Sequence, residues 1–445
     1  MNIKDKLIIK IAKFSKFLLK LTNHKATSLP GKIAYNLDNN ILDALSENTK
    51  FIFVTGTNGK TMTTHFVTNI LRKHYKNVFT NDSGSNMIQG IITVLLDIPK
   101  NENTLAVLEV DEANLVRISK FLKPDYVILT NIFRDQMDRF GEIYNVYKKI
   151  MDGLGECSDV KIIANGDLPI FSYDELKKYE PIYYGIREDD KESNSYNLEA
   201  EFNSDGILCP KCNSILKYKL VNYSSLGDFS CPECDFHSPK LSYNIGDIIS
   251  MDANFSKFKV NGEIYETQIG GFYNIYNALS AIALAKELEI PYKKIYEGLK
   301  FQEHVFGRQE IIKIENKEVI INLVKNPTGL NQIINLMLLE KESISLYCLL
   351  NDNYADGTDV SWIYDSYYEK LKKLNIKSIK VSGTRKTDMK RRLEIADIYG
   401  GEIVEIDYEN EIFDNIKNES TEKIYILSTY TAMLRLREVL KLKWL

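Results

Sequence analysis

The chain has 445 residues, a length that suggests two or three domains, and its composition is that of an ordinary globular protein. Its net charge of −4 argues against a general nucleic-acid binder, so no nucleic-acid partner is expected. No run of 18 apolar residues could span a membrane. Six cysteines in so long a chain do not make a secreted disulfide scaffold, which favours a cytoplasmic protein.

Residues 2–22 predict an amphipathic helix with interleaved lysines. Its apolar stripe consists of Leu7, Ile11, Phe14, Leu18 and Leu21. The preferred interpretation is a helix docked on the body of the protein, because such stripes usually belong to a core. The alternative is a basic helix on an anionic membrane, which would make the protein peripheral at the inner face of the membrane.

The strongest motif is the segment 54–61, Val-Thr-Gly-Thr-Asn-Gly-Lys-Thr, between an apolar strand at 51–54 and a helix at 63–73. Such a turn binds phosphate through free backbone N–H groups and the helix dipole. Lys60 would reach the β- and γ-phosphates, and the Thr61 hydroxyl would hold Mg²⁺. The alternative is a structural turn that contains Gly-Lys-Thr by chance. The residues predicted to bind ATP here are Thr57, Asn58, Gly59, Lys60 and Thr61.

This loop has Val54 where the usual pattern has its first glycine, and in that form it resembles the Mur ligases and folylpolyglutamate synthases. Those enzymes use ATP to form amide bonds through an acyl phosphate. The resemblance implies a Mur-ligase-type ATPase domain with ATP and Mg²⁺ as cofactors. Only about 50 residues precede the loop. That is too few for the UDP-sugar domain of the peptidoglycan-precursor ligases, so the substrate is different or is held differently.

The next stretch, at 105–112, is an apolar strand that ends in Glu and Asp. A carboxylate there offers Mg²⁺ a hard oxygen ligand, and Glu109 matches the magnesium-binding Glu of Mur-type ligases. The alternative is a solvated acidic strand end.

A further strand at 126–131 runs into the charged segment 132–142, which suits a site at the carboxyl edge of a parallel sheet and resembles a Mur-ligase segment. Carbamylation of Lys148 is left open, with an ordinary surface lysine preferred.

The alternation of strands and helices from 51 to about 185 predicts a doubly wound, mainly parallel sheet. An insert follows, with the pattern C-x₂-C-x₁₈-C-x₂-C formed by Cys209, Cys212, Cys231 and Cys234. Two such knuckles place four thiolates tetrahedrally around one structural Zn²⁺. Redox pairs and a relic site without metal are the alternatives. His237 lies just outside the knuckles and is not expected to be a ligand.

Residues 270–285 predict a helix that resembles the Mur-ligase segment lining the adenine pocket. Asn274 and Asn277 share one face of it, and their amides could contact the base. Without the resemblance, this would be an alanine-rich core helix. Residues 306–310 resemble the Gly-Arg-x-Glu that opens the last domain of the family, and Arg308 takes the position of the Arg that helps to bind ATP.

A second alternating α/β region follows. Its strands are predicted near 318–324, 344–350, 378–382, 402–406 and 423–428. The domain prediction has three parts: an amphipathic helix and lead-in at 1–49, an ATP-binding domain at 50–302 with the zinc ribbon at about 203–240, and a C-terminal α/β ligase domain at 303–445. The boundary is placed near 303.

One loop of this region, at 350–365, is rich in aspartate. It fails the EF-hand pattern, because Tyr354 and Ile363 stand where ligands should be. An acidic loop that faces the phosphate loop across a cleft suits the handling of metal, substrate amine or ammonia. This loop and the segments 324–331, 382–385 and 428–434 resemble the MurT family, the ligase subunits of lipid II isoglutaminyl synthase. The resemblance covers nearly the whole chain.

The MurT resemblance implies amidation of the α-carboxylate of D-glutamate in lipid II, with ammonia from a GatD-like glutaminase subunit. The catalytic candidates are Lys60, which would neutralise phosphoryl charge, and Asp356 or Asp359, which would position or deprotonate ammonia. The order of the two aspartates is left undecided. The alternatives are a Mur- or folate-type amino-acid ligase and, from another class, a zinc-ribbon ATPase that binds nucleic acid.

Overall fold

The computed structural model describes ten stretches of the chain: residues 3–21, 28–81, 85–99, 104–134, 143–157, 159–187, 198–201, 204–300, 307–407 and 411–440. Parts of the sequence predictions lie outside these residues, chiefly most of the charged segment 132–142 and the domain boundary near 303.

The strands of the N-terminal part are β1 (Thr49–Thr55), β2 (Val78–Thr80), β3 (Thr104–Glu109), β4 (Pro124–Leu129), β5 (Lys161–Asn165), β6 (Ile182–Ile186), β7 (Lys217–Tyr223), β8 (Leu226–Ser230), β9 (Tyr243–Met251), β10 (Ser256–Val260) and β11 (Glu263–Thr267). Nine of them form one sheet in the order β2-β3-β1-β4-β5-β6-β9-β10-β11, and β7 pairs with β8 apart from it. The pairs from β2 to β9 are parallel, whereas β10 and β11 are added antiparallel. The predicted doubly wound, mainly parallel sheet is confirmed.

The helices of this part are α1 (Ile3–Leu21), α2 (Leu29–Leu37), α3 (Ile41–Leu45), α4 (Lys60–His74), α5 (Ile88–Leu95), α6 (Leu115–Ser119), α7 (Ile143–Leu154), α8 (Asp174–Lys177), α9 (Phe272–Glu287) and α10 (Tyr292–Leu299). Helix α4 buries Met62, Phe66 and Ile70, which recur at helical spacing and so form one apolar face. It packs against α9 and α10. Because β1 lies between β3 and β4, the turn into α4 stands where the chain switches sides of the sheet, the usual place for a ligand.

Helix α1 docks on the body of the protein, but by a different face from the one predicted. It packs on α2, and its buried residues are Ile8, Ile9 and Ala12, which join the core under the nine-stranded sheet. The apolar stripe predicted to face the body points outward instead: Leu7, Ile11, Phe14, Leu18 and Leu21 are 42–66% exposed. The orientation predicted for the stripe is therefore wrong. The inner face is narrow, and Lys16 borders it with an ion pair to Asp97.

The C-terminal part forms a second sheet. Its strands are β12 (Glu310–Ile314), β13 (Lys317–Leu323), β14 (Ile344–Leu349), β15 (Ile376–Ser382), β16 (Ile403–Glu405) and β17 (Lys423–Ser428). They lie in the order β12-β13-β17-β14-β15-β16, parallel except for β12. Helices α11 (Pro327–Met337), α12 (Lys386–Ala396), α13 (Ile412–Lys417) and α14 (Tyr430–Val439) accompany it, with apolar clusters on both faces. The five predicted strands are confirmed, and β12 was not predicted.

Polar side chains connect the N-terminal sheet region to the C-terminal sheet region near the phosphate loop. The Asn58 and Asn326 amides exchange hydrogen bonds of 3.3 and 3.1 Å, and Arg134 pairs with Asp365 at 2.6 Å. The division at 303 between two domains stays a prediction. In the part of the chain that the structure describes, no helix is long and apolar enough to cross a membrane.

Candidate nucleotide and ligase site

The phosphate loop adopts a backbone that only glycine allows at two positions. Gly56 has φ of 128° and Gly59 has φ of 83°. A Cβ on Gly56 would lie 2.3 Å from Thr130 Oγ1, and one on Gly59 would lie 2.2 Å from Asn277 Oδ1. The loop is therefore shaped both by its own turn and by close neighbours just after β4 and on α9.

Residues after β4 hold the loop in place. The Thr57 N–H donates to the Asn131 carbonyl oxygen at 2.8 Å, and the Asn58 N–H donates to Asn131 Oδ1 at 2.9 Å. The Thr130 hydroxyl donates to the Asn58 carbonyl oxygen at 2.8 Å. Sequence reasoning placed Thr130 and Asn131 on a strand but missed this supporting role. The adjacency of β1 and β4 creates it.

Lys60 is buried at the start of α4. Its Nζ donates to the Gly56 carbonyl oxygen and, at 3.3 Å, to the Thr57 carbonyl oxygen. It also lies 3.3 Å from an oxygen of Glu112, which is buried. Burial raises the pKa of Glu112, and the charge on Lys60 opposes that rise. The sequence singled out only Glu109 at this acidic strand end, and the position of Glu112 three residues later was the available signal.

The two predicted magnesium ligands lie at the same edge of the sheet. Glu109 ends β3, where it is in register with Val54 just before the loop, and Thr61 stands in the first turn of α4. Glu109 is buried, and the Asn86 amide donates to its Oε1 at 3.1 Å. A carboxylate and a hydroxyl beside a phosphate loop are oxygen donors of the kind that Mg²⁺ takes together with nucleotide oxygens. These residues fit the ion.

Asn274 and Asn277 lie on the first turns of α9 and are buried. The Asn277 amide donates to Asn274 Oδ1 at 3.2 Å, and the Asn274 amide donates to the Gly270 carbonyl oxygen at 2.8 Å. This chain of amides ends against Gly59 of the phosphate loop. The structure thus places Asn277 beside the phosphate loop with Asn274 bonded to it, and the contact of both with the base stays a prediction.

Arg308 lies just before β12, partly exposed, and donates to the Leu323 carbonyl oxygen at 3.3 Å. Burial raises the pKa of the Tyr273 hydroxyl to about 12. The positive charge of nearby Arg308 opposes that rise. Arg308 therefore lies near the N-terminal turn of α9. Its neighbour Glu310 forms a buried ion pair with Arg437, which makes Glu310 part of the packing of α14.

The two catalytic candidates of the acidic loop differ in environment. Asp356 is buried and accepts hydrogen bonds from the backbone N–H and the hydroxyl of Thr431 at the start of α14. Asp359 is exposed and accepts the Ser361 N–H at 2.8 Å. Hydrogen bonding by Ser361 holds the pKa of Asp359 below its usual value, and the charge on Arg134 acts in the same direction.

The four cysteines of the insert converge, and the residues present fit a zinc ion. Their sulfurs all lie within 4.8 Å of one another, at 3.6 Å for Cys209 and Cys234 and 3.4 Å for Cys212 and Cys231. A tetrahedral Zn–S bond of about 2.3 Å requires sulfurs about 3.8 Å apart. Hydrogen bonding with Ser214 lowers the pKa of the Cys212 thiol to about 6, which favours a thiolate. His237 bonds to the Ser238 carbonyl oxygen instead of joining the cluster.

The ribbon hairpin also contacts the helix that carries the two asparagines. Asn222 of β7 donates to the Tyr276 hydroxyl at 2.7 Å, and that hydroxyl donates to buried Asp167 at 2.7 Å. The ring of Tyr223 packs edge-on against Tyr276, with centroids 5.7 Å apart. Elsewhere, Lys148 is exposed on α7, as an ordinary surface lysine would be. Its carbamylation stays open.

The fold and this site define a Mur-type ligase, and comparison with known proteins agrees. The family model described as Mur ligase middle domain matches residues 54–231. Solved structures support the fold: a pseudomurein peptide ligase type C from Methanothermus fervidus (TM-score 0.62, 20% identity, 88% of this chain and 78% of that chain) and a MurF ligase from Thermotoga maritima in complex with ADP (TM-score 0.62, 14% identity, 91% and 83%). A Mur ligase fold implies ATP and Mg²⁺ as cofactors.

The particular family follows from sequence. A model described as MurT ligase C-terminal matches residues 323–433. The lipid II isoglutaminyl synthase (glutamine-hydrolyzing) subunit MurT of Streptococcus pneumoniae is 41% identical over 443 residues, which cover 99% of this chain and 98% of that protein. Its counterpart from Staphylococcus aureus is 34% identical, over 90% of each chain. The chain belongs to the MurT family and is an ATP-dependent ligase.

We expect Cys209→Ser to abolish the binding of one zinc per chain and to lower the melting temperature, because a structural metal supplies much of a ribbon's folding free energy. The ribbon contacts α9 through Asn222, so nucleotide affinity should fall as well. Elemental analysis and thermal unfolding measure the first two effects. Glu233→Ala, an exposed change inside the second knuckle, is the matched control and should retain the metal. Freshly purified native chain without zinc would contradict the assignment.

Proposed function

We propose that this chain is the ligase subunit that amidates the α-carboxylate of D-glutamate in the stem peptide of lipid II and forms D-isoglutamine. The observation that carries the proposal is that the phosphate loop, and the segment just after β4, are joined by side-chain contacts to the C-terminal sheet region and its acidic loop. Asn58 of the first contacts Asn326 beside the second sheet, and Arg134 binds Asp365 at the end of the acidic loop. The relatives named for this reaction match 90% and 99% of the chain.

The chemistry proceeds in two steps. The carboxylate oxygen attacks the γ-phosphorus of ATP, so that ADP leaves and an acyl phosphate forms. Ammonia then attacks the acyl carbon, phosphate leaves, and a carboxylate takes the surplus proton. In the first step, the ammonium group of Lys60 neutralises charge on the transferring phosphoryl group. Mg²⁺, held by Thr61 and Glu109, would supply further neutralisation. In the second step, Asp356 and Asp359 are the candidates to position or deprotonate ammonia.

Ammonia is proposed to come from a separate glutaminase of the GatD type, because the relatives are named as subunits of a glutamine-hydrolysing enzyme. The cysteines outside the zinc cluster support this division of labour. Cys157 and Cys348 are both buried. Burial raises the pKa of both thiols, to about 12 for Cys348, whereas a glutaminase nucleophile requires an accessible thiolate.

The test is incubation of the purified chain with lipid II, ATP and Mg²⁺, followed by mass analysis of the stem peptide. With ammonium chloride we expect amidation without any partner, and with glutamine we expect it only when the glutaminase is added. Inorganic phosphate and ADP should form in step with the amide. If an amino acid is joined instead of ammonia, the chain is an amino-acid ligase. If neither is joined while ATP binds normally, the substrate assignment is wrong.

A further inference from the structure

Helix α1 presents a continuous apolar stripe to the outside of the protein. Its side chains are 42–87% exposed and recur at helical spacing: Ile3, Leu7, Ile11, Phe14, Phe17, Leu18 and Leu21. A helix of this length extends about 28 Å. Single exposed apolar residues are common, but an aligned set of seven marks an interaction surface.

The helix is fixed with this stripe outward. Ile8, Ile9 and Ala12 on the opposite face belong to the main core, so rotation of the helix would expose them. Two ion pairs hold its flanks: Lys4 with Asp38 at 2.6 Å and Lys16 with Asp97 at 2.6 Å. The stripe is therefore a built feature of the folded chain.

Charge indicates what covers the stripe. The helix contains six lysines and one aspartate, whereas the whole chain has a net charge of −4. Lys6, Lys10 and Lys13 are exposed along one flank of the stripe, and Asp5 is half-buried. A second copy of the chain would bring two lysine rows together, and such like-charge contacts are unfavourable. An anionic surface with an apolar interior complements both features.

We propose that α1 lies in the surface of an anionic lipid bilayer, with its apolar stripe about 5–10 Å deep and its lysines among the headgroups. The surface assignment rests on α1 alone. Its use rests on the proposed function, because a chain held at the bilayer meets a lipid-linked substrate in two dimensions. The binding should be reversible, since one interfacial helix anchors far less firmly than a spanning helix.

The experiment is co-sedimentation of the full chain with vesicles of phosphatidylcholine, with or without phosphatidylglycerol. We expect binding to the anionic vesicles only, at least a tenfold loss of affinity in the double variant Phe14→Ser, Leu18→Ser, and a comparable loss in Lys6→Gln, Lys10→Gln, Lys13→Gln. The matched control is Ile395→Ser, a 59% exposed apolar residue on α12, which should bind like the native chain. All variants should melt like the native chain, because the changed side chains are exposed.

Three results would overturn the surface assignment. The first is that the native chain does not bind anionic vesicles, and the second is that the double variant binds them as well as the native chain does. The third is that the native chain is a dimer in solution whereas the double variant is a monomer. Amidation of detergent-solubilised lipid II tests the proposed function separately, since micelles need no docking and the double variant should be fully active there. If neither the native chain nor the double variant amidates lipid II in detergent, while the native chain still binds anionic vesicles, the proposed function is refuted and the surface assignment stands.

Discussion

Lys60→Ala is expected to reduce ATP turnover by about 10²- to 10³-fold, the loss typical when one preorganised charge-stabilising group is removed from a transition state. The ammonium group is buried inside the loop, where it contacts the Gly56 and Thr57 carbonyl oxygens. Alanine carries no charge, and water that enters the site would stabilise the charge on the transferring phosphoryl group poorly. Steady-state ATP hydrolysis coupled to amidation, together with calorimetric nucleotide binding, measures the effect.

Stability must be followed in the same variant, because Lys60→Ala leaves Glu112 buried without its cation. Burial already raises the pKa of Glu112, so we expect that carboxyl to take up a proton and the fold to persist. The double variant Lys60→Ala, Glu112→Gln has no unpaired buried carboxylate at this position and should be equally inactive. Lys73→Ala, an exposed change in the last turn of the same helix, is the matched control and should turn over ATP normally. Near-normal turnover in folded Lys60→Ala would remove the phosphate-loop assignment.

Features specified by short-range pattern could be predicted from the sequence. The phosphate loop needs two glycines between a strand and a helix, and Gly56 and Gly59 do occupy positive φ. The parallel strands are apolar on both faces, so β1, β3 and β4 stand out as continuous apolar runs. The cysteine spacing predicted a cluster, because each knuckle is local and only the pairing of the two knuckles is not.

Features set by tertiary packing could not be predicted. The strands β9, β10 and β11 are partly exposed and polar, with two register shifts between β9 and β10, so they lack a clean alternation. The stripe of α1 resembles a core face, and only the docked neighbours decide that Ile8 and Ile9 are inside. The ion pair of Lys60 with Glu112 depends on the convergence of the segments that follow β1 and β3, and the two residues lie 52 positions apart in the chain.

The acidic loop shows the same division within one site. It was expected to face the phosphate loop, and its last residue, Asp365, pairs with Arg134, which lies just after β4. The difference between its two aspartates did not follow. Asp356 is tied to Thr431, 75 residues later, and so helps to fix the start of α14, whereas Asp359 is exposed beside the charge of Arg134. No local pattern distinguishes two aspartates three residues apart.

Asp359→Asn is expected to lower amidation by about 100-fold or more while nucleotide affinity stays unchanged, because asparagine is nearly isosteric but can neither accept a proton nor carry the charge that attracts an amine. Asp356→Asn should lower amidation too, and should also cost about 1 kcal/mol of unfolding free energy, because it weakens a charged cap on α14. Amidation of lipid II with ammonium chloride, calorimetric ATP binding and thermal unfolding separate these effects.

The matched control is Asp397→Asn, an exposed change in the same sheet region at a left-handed position that asparagine tolerates, which should amidate normally. If nucleotide affinity falls together with amidation in Asp359→Asn, the loop binds the metal of the nucleotide and does not handle ammonia. If only Asp356→Asn loses amidation and its stability is native, Asp356 is the group that acts on ammonia and Asp359 is a solvated turn residue. If both variants amidate at the native rate, the loop takes no part in the reaction, and the base of the second step must be a residue outside this loop.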